Sequence, residues 1–220
     1  MTTRGKFITL EGIEGAGKTT VARALKESLE ARGLTVDLTR EPGGTPFAEQ
    51  LREQILHRGE ETLDATAETL LMFAARAVHV SNRIRPALEA GTWVICDRFT
   101  DATRAYQGGG RGVDRDWIEA LARGVHGDCE PDLTLLLDLP VEQGLERARA
   151  RRIAAGQAID DRFESESSAF FERVRAEYLR LATRAGSVIV RIDATRSPEA
   201  VADDALHALT DRFSAPIGPV

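Results

Sequence analysis

Residues 12–19 read Gly-Ile-Glu-Gly-Ala-Gly-Lys-Thr, and no other stretch constrains the fold of this chain as strongly. It follows the apolar run Phe7-Ile8-Thr9-Leu10 and precedes a segment with Val21, Ala24, Leu25 and Leu29 at helical spacing. Gly12, Gly17, Lys18 and Thr19 fill the pattern G-x-x-x-x-G-K-[ST] in the strand–loop–helix setting the pattern requires. Glycines let consecutive backbone N–H groups turn inward around phosphate oxygens, and the helix beginning near Lys18 adds its positive dipole end. Lys18 then reaches the β- and γ-phosphates, and the Thr19 hydroxyl is placed to bind Mg²⁺. The plain alternative is a glycine turn that only caps a helix. Lysine usage speaks against it: of 29 basic residues only Lys6, Lys18 and Lys26 are lysines. A chain that otherwise uses arginine keeps a slim point charge at this position. Residues 12–20 are therefore expected to bind a nucleoside triphosphate.

Beyond this loop, apolar runs alternate with helical patterns. Strands are predicted at 6–11, 35–39, 92–96, 132–138 and 187–192, and helices near 18–32, 46–57, 64–89, 114–125, 140–151, 163–185 and 197–212. Continuous apolar runs such as Trp93-Val94-Ile95-Cys96 and Leu133-Thr134-Leu135-Leu136-Leu137 suit strands buried on both faces. The expectation is an α/β protein: a five-stranded parallel sheet with helices on both faces and ligands at the carboxyl ends of the strands. At 220 residues the chain reads as one domain, 1–220, and its last residues, Ser214 to Val220, are expected to fray. A formal charge of −6 argues against a general nucleic-acid binder. Cys96 and Cys129 lack metal-binding spacing. No secretory segment or membrane-length apolar run is seen, so no membrane partner and a cytoplasmic location are expected.

Candidate ligand residues fall at the predicted strand ends. Thr39-Arg40-Glu41-Pro42-Gly43-Gly44-Thr45 stops the second strand and turns the chain, with Thr45 a suitable helix cap. Arg40 and Glu41 lie where ligands meet such sheets, and Arg52 follows on the next helix. In the helix 64–89, Met72 and Arg76 are four apart and Phe73 and Arg76 three apart, so each pair shares a face. Either gives an apolar platform beside a donor, suited to a nucleobase. The third strand ends in Asp97-Arg98, an acidic residue placed to hold Mg²⁺ and an arginine able to clamp phosphate. Glu146-Arg147-Ala148-Arg149-Ala150-Arg151-Arg152, with the hinge from Ile153 to Ile159, suits a lid that brings cations to transferring phosphates. His57, His79, His126 and His207 are scattered and read as structural or surface residues.

Taken together, these segments resemble the thymidylate kinase family of P-loop nucleoside-monophosphate kinases over about residues 5–210. The resemblance rests on Glu11-Gly12 through Thr19, Thr39-Arg40-Glu41-Pro42-Gly43-Gly44, Phe73-Ala74-Ala75-Arg76 and Asp97-Arg98-Phe99. It continues in Ala105-Tyr106-Gln107-Gly108-Gly109-Gly110-Arg111 and the lid pattern ending Asp161-Arg162-Phe163-Glu164. It implies the P-loop NTPase fold, transfer of the ATP γ-phosphoryl group to dTMP, Mg²⁺, and a homodimer. Gly12, Ile13, Glu14, Gly15, Ala16, Gly17, Lys18, Thr19 and Thr20 would then bind ATP, with Thr19 and Asp97 on the metal. Arg40, Arg52 and Arg98 would hold the acceptor phosphate, oriented by Glu41. Arg76 would read thymine O4, Thr103 and Gln107 its N3 edge, and Tyr106 would sit by the deoxyribose. Glu14 would organise the acceptor side. The P-loop carries no arginine, so the lid, about 147–162, would supply the catalytic one, Arg149 or Arg151. Met72 stands where relatives carry the stacking aromatic, with Phe73 one residue later, and Ala102 replaces a frequent serine. A kinase for another monophosphate, or an ATP-driven switch without an acceptor, are the rival readings.

Overall fold

The computed structural model describes residues 4–57, 62–156 and 162–213. Strands β1 (Phe7–Glu11), β2 (Val36–Arg40), β3 (Trp93–Asp97), β4 (Leu133–Asp138) and β5 (Ile189–Asp193) form one parallel sheet in the order β2-β3-β1-β4-β5. Each predicted strand forms, with boundaries displaced by no more than two residues. The chain runs from β1 outward past β3 and later returns across β1 to β4. The order therefore reverses at β1, and its carboxyl end sits where such sheets bind ligands. Register brings Arg40 beside Asp97 and Asp138 beside Asp193, so charged residues gather along that one edge.

Alternation along β1 divides the core. Ile8 and Leu10 join Val21, Leu25 and Leu29 of α1 (Lys18–Glu30) and Leu209 of α9 (Pro198–Arg212) in one cluster. Phe7 points to the opposite face, into a cluster with Ile84, Leu88, Val94 and Phe99. Also on that face lies α8 (Ser168–Ala182), whose Tyr178 meets Glu11. α2 (Pro46–Leu56), α3 (Ala65–His79), α6 (Arg115–Val125) and α7 (Val141–Ala154) complete the helical layers.

Three helical segments depart from expectation. The shortest departure is the predicted helix 163–185, which forms as α8 over Ser168–Ala182 after a 3-10 turn at Phe163–Ser165. The predicted helix 64–89 is α3, a widened π turn at Val80–Ile84 and α4 (Arg85–Glu89), in one continuous run. Where no helix was predicted, α5 (Thr100–Thr103) continues as a π segment over Arg104–Gly110. Three consecutive glycines argue locally against a helix there. Packing supplies the reason: a Cβ on Gly109 would lie 2.6 Å from Glu177 Cβ, and one on Gly110 2.4 Å from Phe170 Cε2. The glycines let α8 close onto this segment. Thr45 stands at the start of α2, but its buried hydroxyl finds no partner among the described residues; Pro46 in the first turn suits the helix start instead. The tail from Ser214, and Ile159, Asp160 and Asp161 of the lid pattern, lie outside the described residues.

Candidate active site

A cavity of about 290 Å³ opens at the carboxyl ends of β1, β2 and β3, walled on one side by Glu14 through Thr19. The P-loop is locked against α7 by glycines on both sides: a Cβ on Gly15 would fall 2.0 Å from Gly144 O, and one on Gly144 2.6 Å from Glu14 O. This contact brings the arginine-rich helix to the loop. Lys18 folds back onto the loop, Nζ donating to Gly12 O and Ile13 O at 3.0 Å each. Burial, with Arg98 adding to it, lowers its ammonium from the usual 10.5 to about 8. Gly12 and Ile13 meet this ammonium through their carbonyls, and Thr20 lies exposed in the first turn of α1. Thr19 Oγ1 donates to Asp97 Oδ2 at 3.5 Å, and both residues line the cavity. Two hard oxygen donors at one open point fit a Mg²⁺ ion that also binds phosphate and water.

Arg98 is the centre of a second cluster. Among the described residues it is the one non-glycine with positive φ, 73°, a strained conformation held only when its surroundings insist. Its N–H donates to Leu10 O at 2.9 Å, and the next N–H, of Phe99, donates to Glu11 Oε1 at 2.7 Å. Its Nη2 donates to Glu14 Oε1 at 2.9 Å and Tyr106 Oη at 3.0 Å, and its Nη1 to Tyr178 Oη at 3.3 Å. Tyr106 in turn donates to Glu14, and Tyr178 to Glu11 Oε2, each at 2.7 Å. Glu11 is fully buried, and burial with the nearby Asp101 charge raises its carboxyl from 4.5 to about 8, against Arg98 and Tyr178.

Arg76 forms the far wall. Its guanidinium is 3 % exposed and lies between the Phe73 and Phe99 rings, 4.9 and 5.2 Å from their centroids. Nε donates to Glu41 Oε2 at 2.7 Å, and Nη2 to Phe99 O and Thr103 Oγ1 at 3.1 Å each. Nη1 is buried with no partner among the described residues. Glu41 Oε1 lies 3.0 Å from His79 Nδ1, whose Nε2 is 2.7 Å from Thr39 Oγ1. A carboxylate only accepts, so Nδ1 carries the proton. Burial works to raise the Glu41 carboxyl, but Arg76 and His79 outweigh it and leave it below its ordinary 4.5.

The cavity thus gathers most of the residues singled out in the sequence, with corrections. Met72 lines it, whereas Phe73 is buried with Ile118 and Ala122 beneath Arg76. The helix rotates about 100° per residue, so adjacent positions cannot share that wall. Arg151 lines it, while Arg149 points to the exposed side of α7 and Arg147 donates to Ala194 O at 2.8 Å. Glu41 orients Arg76 rather than the other arginines. Arg40 pairs with Glu49 at 2.9 Å and Arg52 donates to Pro42 O at 2.8 Å, both at the cavity's edge. Tyr106 lines the cavity with its hydroxyl committed to Glu14 and Arg98, and Gln107 and Thr103 line it beside Arg76. The sequence reading gave no site role to Glu68 or Tyr178 and took Glu11 only as part of the P-loop motif, while His79 is structural, as expected. A signal existed: Glu68, Met72, Arg76 and His79 recur at helical spacing on one face of α3, and Glu11 is a carboxylate ending an otherwise apolar strand.

Known proteins resemble this chain over nearly its whole length. A family model described as thymidylate kinase matches residues 10–205. A thymidylate kinase from Chromohalobacter salexigens is 53 % identical over 97 % of this chain and 99 % of its own length. One from Pseudomonas putida is 55 % identical over 91 % and 92 %. A crystal structure of thymidylate kinase from Ehrlichia chaffeensis superposes with a TM-score of 0.75 at 32 % identity, covering 94 % of this chain and 99 % of that one. The chain belongs to the thymidylate kinase family of P-loop enzymes, which phosphorylate dTMP to dTDP with ATP.

Proposed function

We propose that the chain carries out this reaction with dTMP seated in the cavity between Arg76 and the P-loop. The observation that carries the reading is Arg76 Nη1, a buried N–H without a partner among the described residues, on a side chain that lines the same cavity as the P-loop. A buried unsatisfied donor costs about 1–3 kcal/mol, which a base carbonyl would recover. Thymine O4 takes that N–H, Met72 packs on the ring, and Thr103 and Gln107 meet its N3 edge. Phe73 supports this wall from beneath as the neighbour of Arg76. Tyr106 borders the deoxyribose. Arg98, steadied by Glu14 and the two tyrosines, holds the acceptor phosphate together with Arg40 and Arg52.

ATP lies over residues 12–20, and Lys18 leaves the Gly12 and Ile13 carbonyls for the β- and γ-phosphates. The acceptor oxygen belongs to a phosphate dianion and needs no general base, which agrees with a site of cations and no histidine at the reacting end. Catalysis is in-line positioning and neutralisation of the charge that moves with the phosphoryl group. Arg151 reaches that group from α7, with Arg149 outside the cavity. Thr19 and Asp97 would hold Mg²⁺, which would offset the charge of the donor phosphates. Residues 147–162 act as a lid on a single domain, of which 157–161 lie outside the described residues.

A homodimer and a cytoplasmic location belong to the same reading. Phe47 of α2 and Leu70 of α3 are 55 % and 46 % exposed, apolar surface suited to a second copy. No helix among the described residues is long and apolar enough to cross a membrane. The test is ADP release from Mg-ATP with dTMP, dUMP, UMP, dCMP, dAMP and dGMP as acceptors. Turnover led by dTMP is expected. A different favoured acceptor would overturn the base-reading residues, and turnover without any acceptor would overturn the kinase itself.

A further inference from the structure

Glu68 takes no part in the chemistry above, yet its carboxylate is completely buried in α3. Oε1 accepts from Gln107 Nε2 at 2.8 Å and Arg111 Nε at 3.3 Å. Oε2 accepts from Arg162 Nη2 at 2.9 Å and Arg111 Nη2 at 3.3 Å. The two guanidinium groups balance the buried charge, as a buried carboxylate requires. The bond to Gln107 has a further consequence. A carboxylate offers only lone pairs, so the Gln107 amide must turn its NH2 toward Glu68. Gln107 itself lines the cavity. Its carbonyl oxygen is thereby turned away from Glu68 and left to accept from a ligand, beside the second amide hydrogen.

Arg76 acts on Thr103 in the complementary sense. A guanidinium only donates, so Thr103 Oγ1 accepts from Nη2 and keeps its own proton free to give. The base end of the cavity therefore presents donors from Arg76 and Thr103 next to an acceptor from Gln107. Thymine carries the matching pattern, an O4 acceptor beside an N3–H donor. Cytosine inverts both, with an amino group at C4 and a bare N3.

We infer that Glu68 is a positioning residue that sets pyrimidine specificity, holding the Gln107 amide in the one orientation that accepts N3–H and opposes cytosine. This rests on the dTMP reading of the cavity. Glutamine at position 68 can donate as well as accept, so the Gln107 amide is no longer locked and can turn its NH2 to a bare N3. Aspartate keeps the acceptor-only character at the cost of reach.

The experiment compares kcat/KM for dTMP and dCMP at saturating Mg-ATP in the wild type, Glu68→Gln, Glu68→Asp, Gln107→Met and the Glu68→Gln/Gln107→Met double variant. The dTMP:dCMP ratio does not depend on how much of each preparation is folded, so a purely structural role leaves it unmoved. The ratio is expected to fall about tenfold or more in Glu68→Gln, the scale of one mismatched hydrogen bond in a site built for its partner. It should stay within about threefold of wild type in Glu68→Asp, whatever the absolute activity, since acceptor character is preserved. Gln107→Met should lower it too, and Glu68→Gln should add nothing in that background. An unmoved ratio in Glu68→Gln overturns the inference, as does an equal fall in Glu68→Asp. Should Glu68→Gln not fold, a crystal structure of the wild type with dTMP decides: Gln107 Oε1 within hydrogen-bond distance of N3 while Nε2 stays on Glu68 supports the inference, and any other partner for N3 overturns it. A wild type without preference for dTMP over dCMP would instead overturn the reading of the cavity.

Discussion

Replacing Glu41 with glutamine removes one charge and one acceptor from the buried cluster while keeping its shape. Arg76 is then a cation 3 % exposed, between two aromatic rings, with only Phe99 O and Thr103 Oγ1 among its former acceptors unchanged. Breaking a buried ion pair costs about 3–5 kcal/mol. The glutamine oxygen can still accept from Arg76 Nε, which offsets about 1 kcal/mol. A net loss of about 2–4 kcal/mol follows, and for a chain of this size that lowers Tm by about 4–16 °C. The pH dependence carries a sign of its own. The Glu41 carboxyl in the folded protein lies below its ordinary 4.5 because Arg76 and His79 outweigh burial. Its contribution is therefore complete above about pH 4.5 and is lost as pH falls through the depressed folded value. Thermal melts followed by circular dichroism from pH 3.5 to 7.5 read both effects. The gap between wild type and Glu41→Gln should be constant above about pH 4.5 and should narrow below it. A variant melting within about 2 °C of wild type at pH 7, under 1 kcal/mol on this scale, would refute the reasoning. So would a gap that ignores acid.

Three further outcomes are expected. Arg151→Ala should lower kcat about 10²–10³-fold in steady-state assays, as removal of one transition-state donor does, while Arg149→Ala stays within about threefold. Phe73→Ala should cost about 3–5 kcal/mol in urea unfolding because it empties a core position, whereas Met72→Ala should act mainly on KM for dTMP. The raised carboxyl of Glu11, at about 8 in the folded protein, makes a stabilising contribution that is whole below pH 4.5 and disappears as pH climbs through 8. Urea unfolding across that range should show wild-type stability declining with pH and a flatter course in Glu11→Gln; parallel courses would count against burial as the cause.

Much of the architecture is legible along the chain because its causes are local. A run such as Phe7 to Leu10 suits a strand buried on both faces, and the glycines before Lys18 suit a tight anion-binding turn. The same holds for Asp97-Arg98 at a strand's end. The π segment at Arg104–Gly110 was not legible: its glycines discourage a helix by themselves and permit one only once α8 lies against them. The choice between Met72 and Phe73 was also open, since both share a face with Arg76 at helical spacing. It is the packing of α3 against α6 that turns Phe73 inward onto Ile118 and Ala122.

The sequence by itself determined the sheet, the phosphate-binding loop, and the kinds of residue present at the strand ends. Tertiary structure alone decided which side chain answers which. Glu41 meets Arg76 across 35 positions, Glu68 meets Gln107 across 39, and Glu11 meets Tyr178 across 167. A strand or turn is chosen by neighbours within a few residues, so its pattern is written locally. A buried charge must find whichever partner the fold delivers, because leaving it alone costs several kcal/mol, and that partner has no fixed distance along the chain.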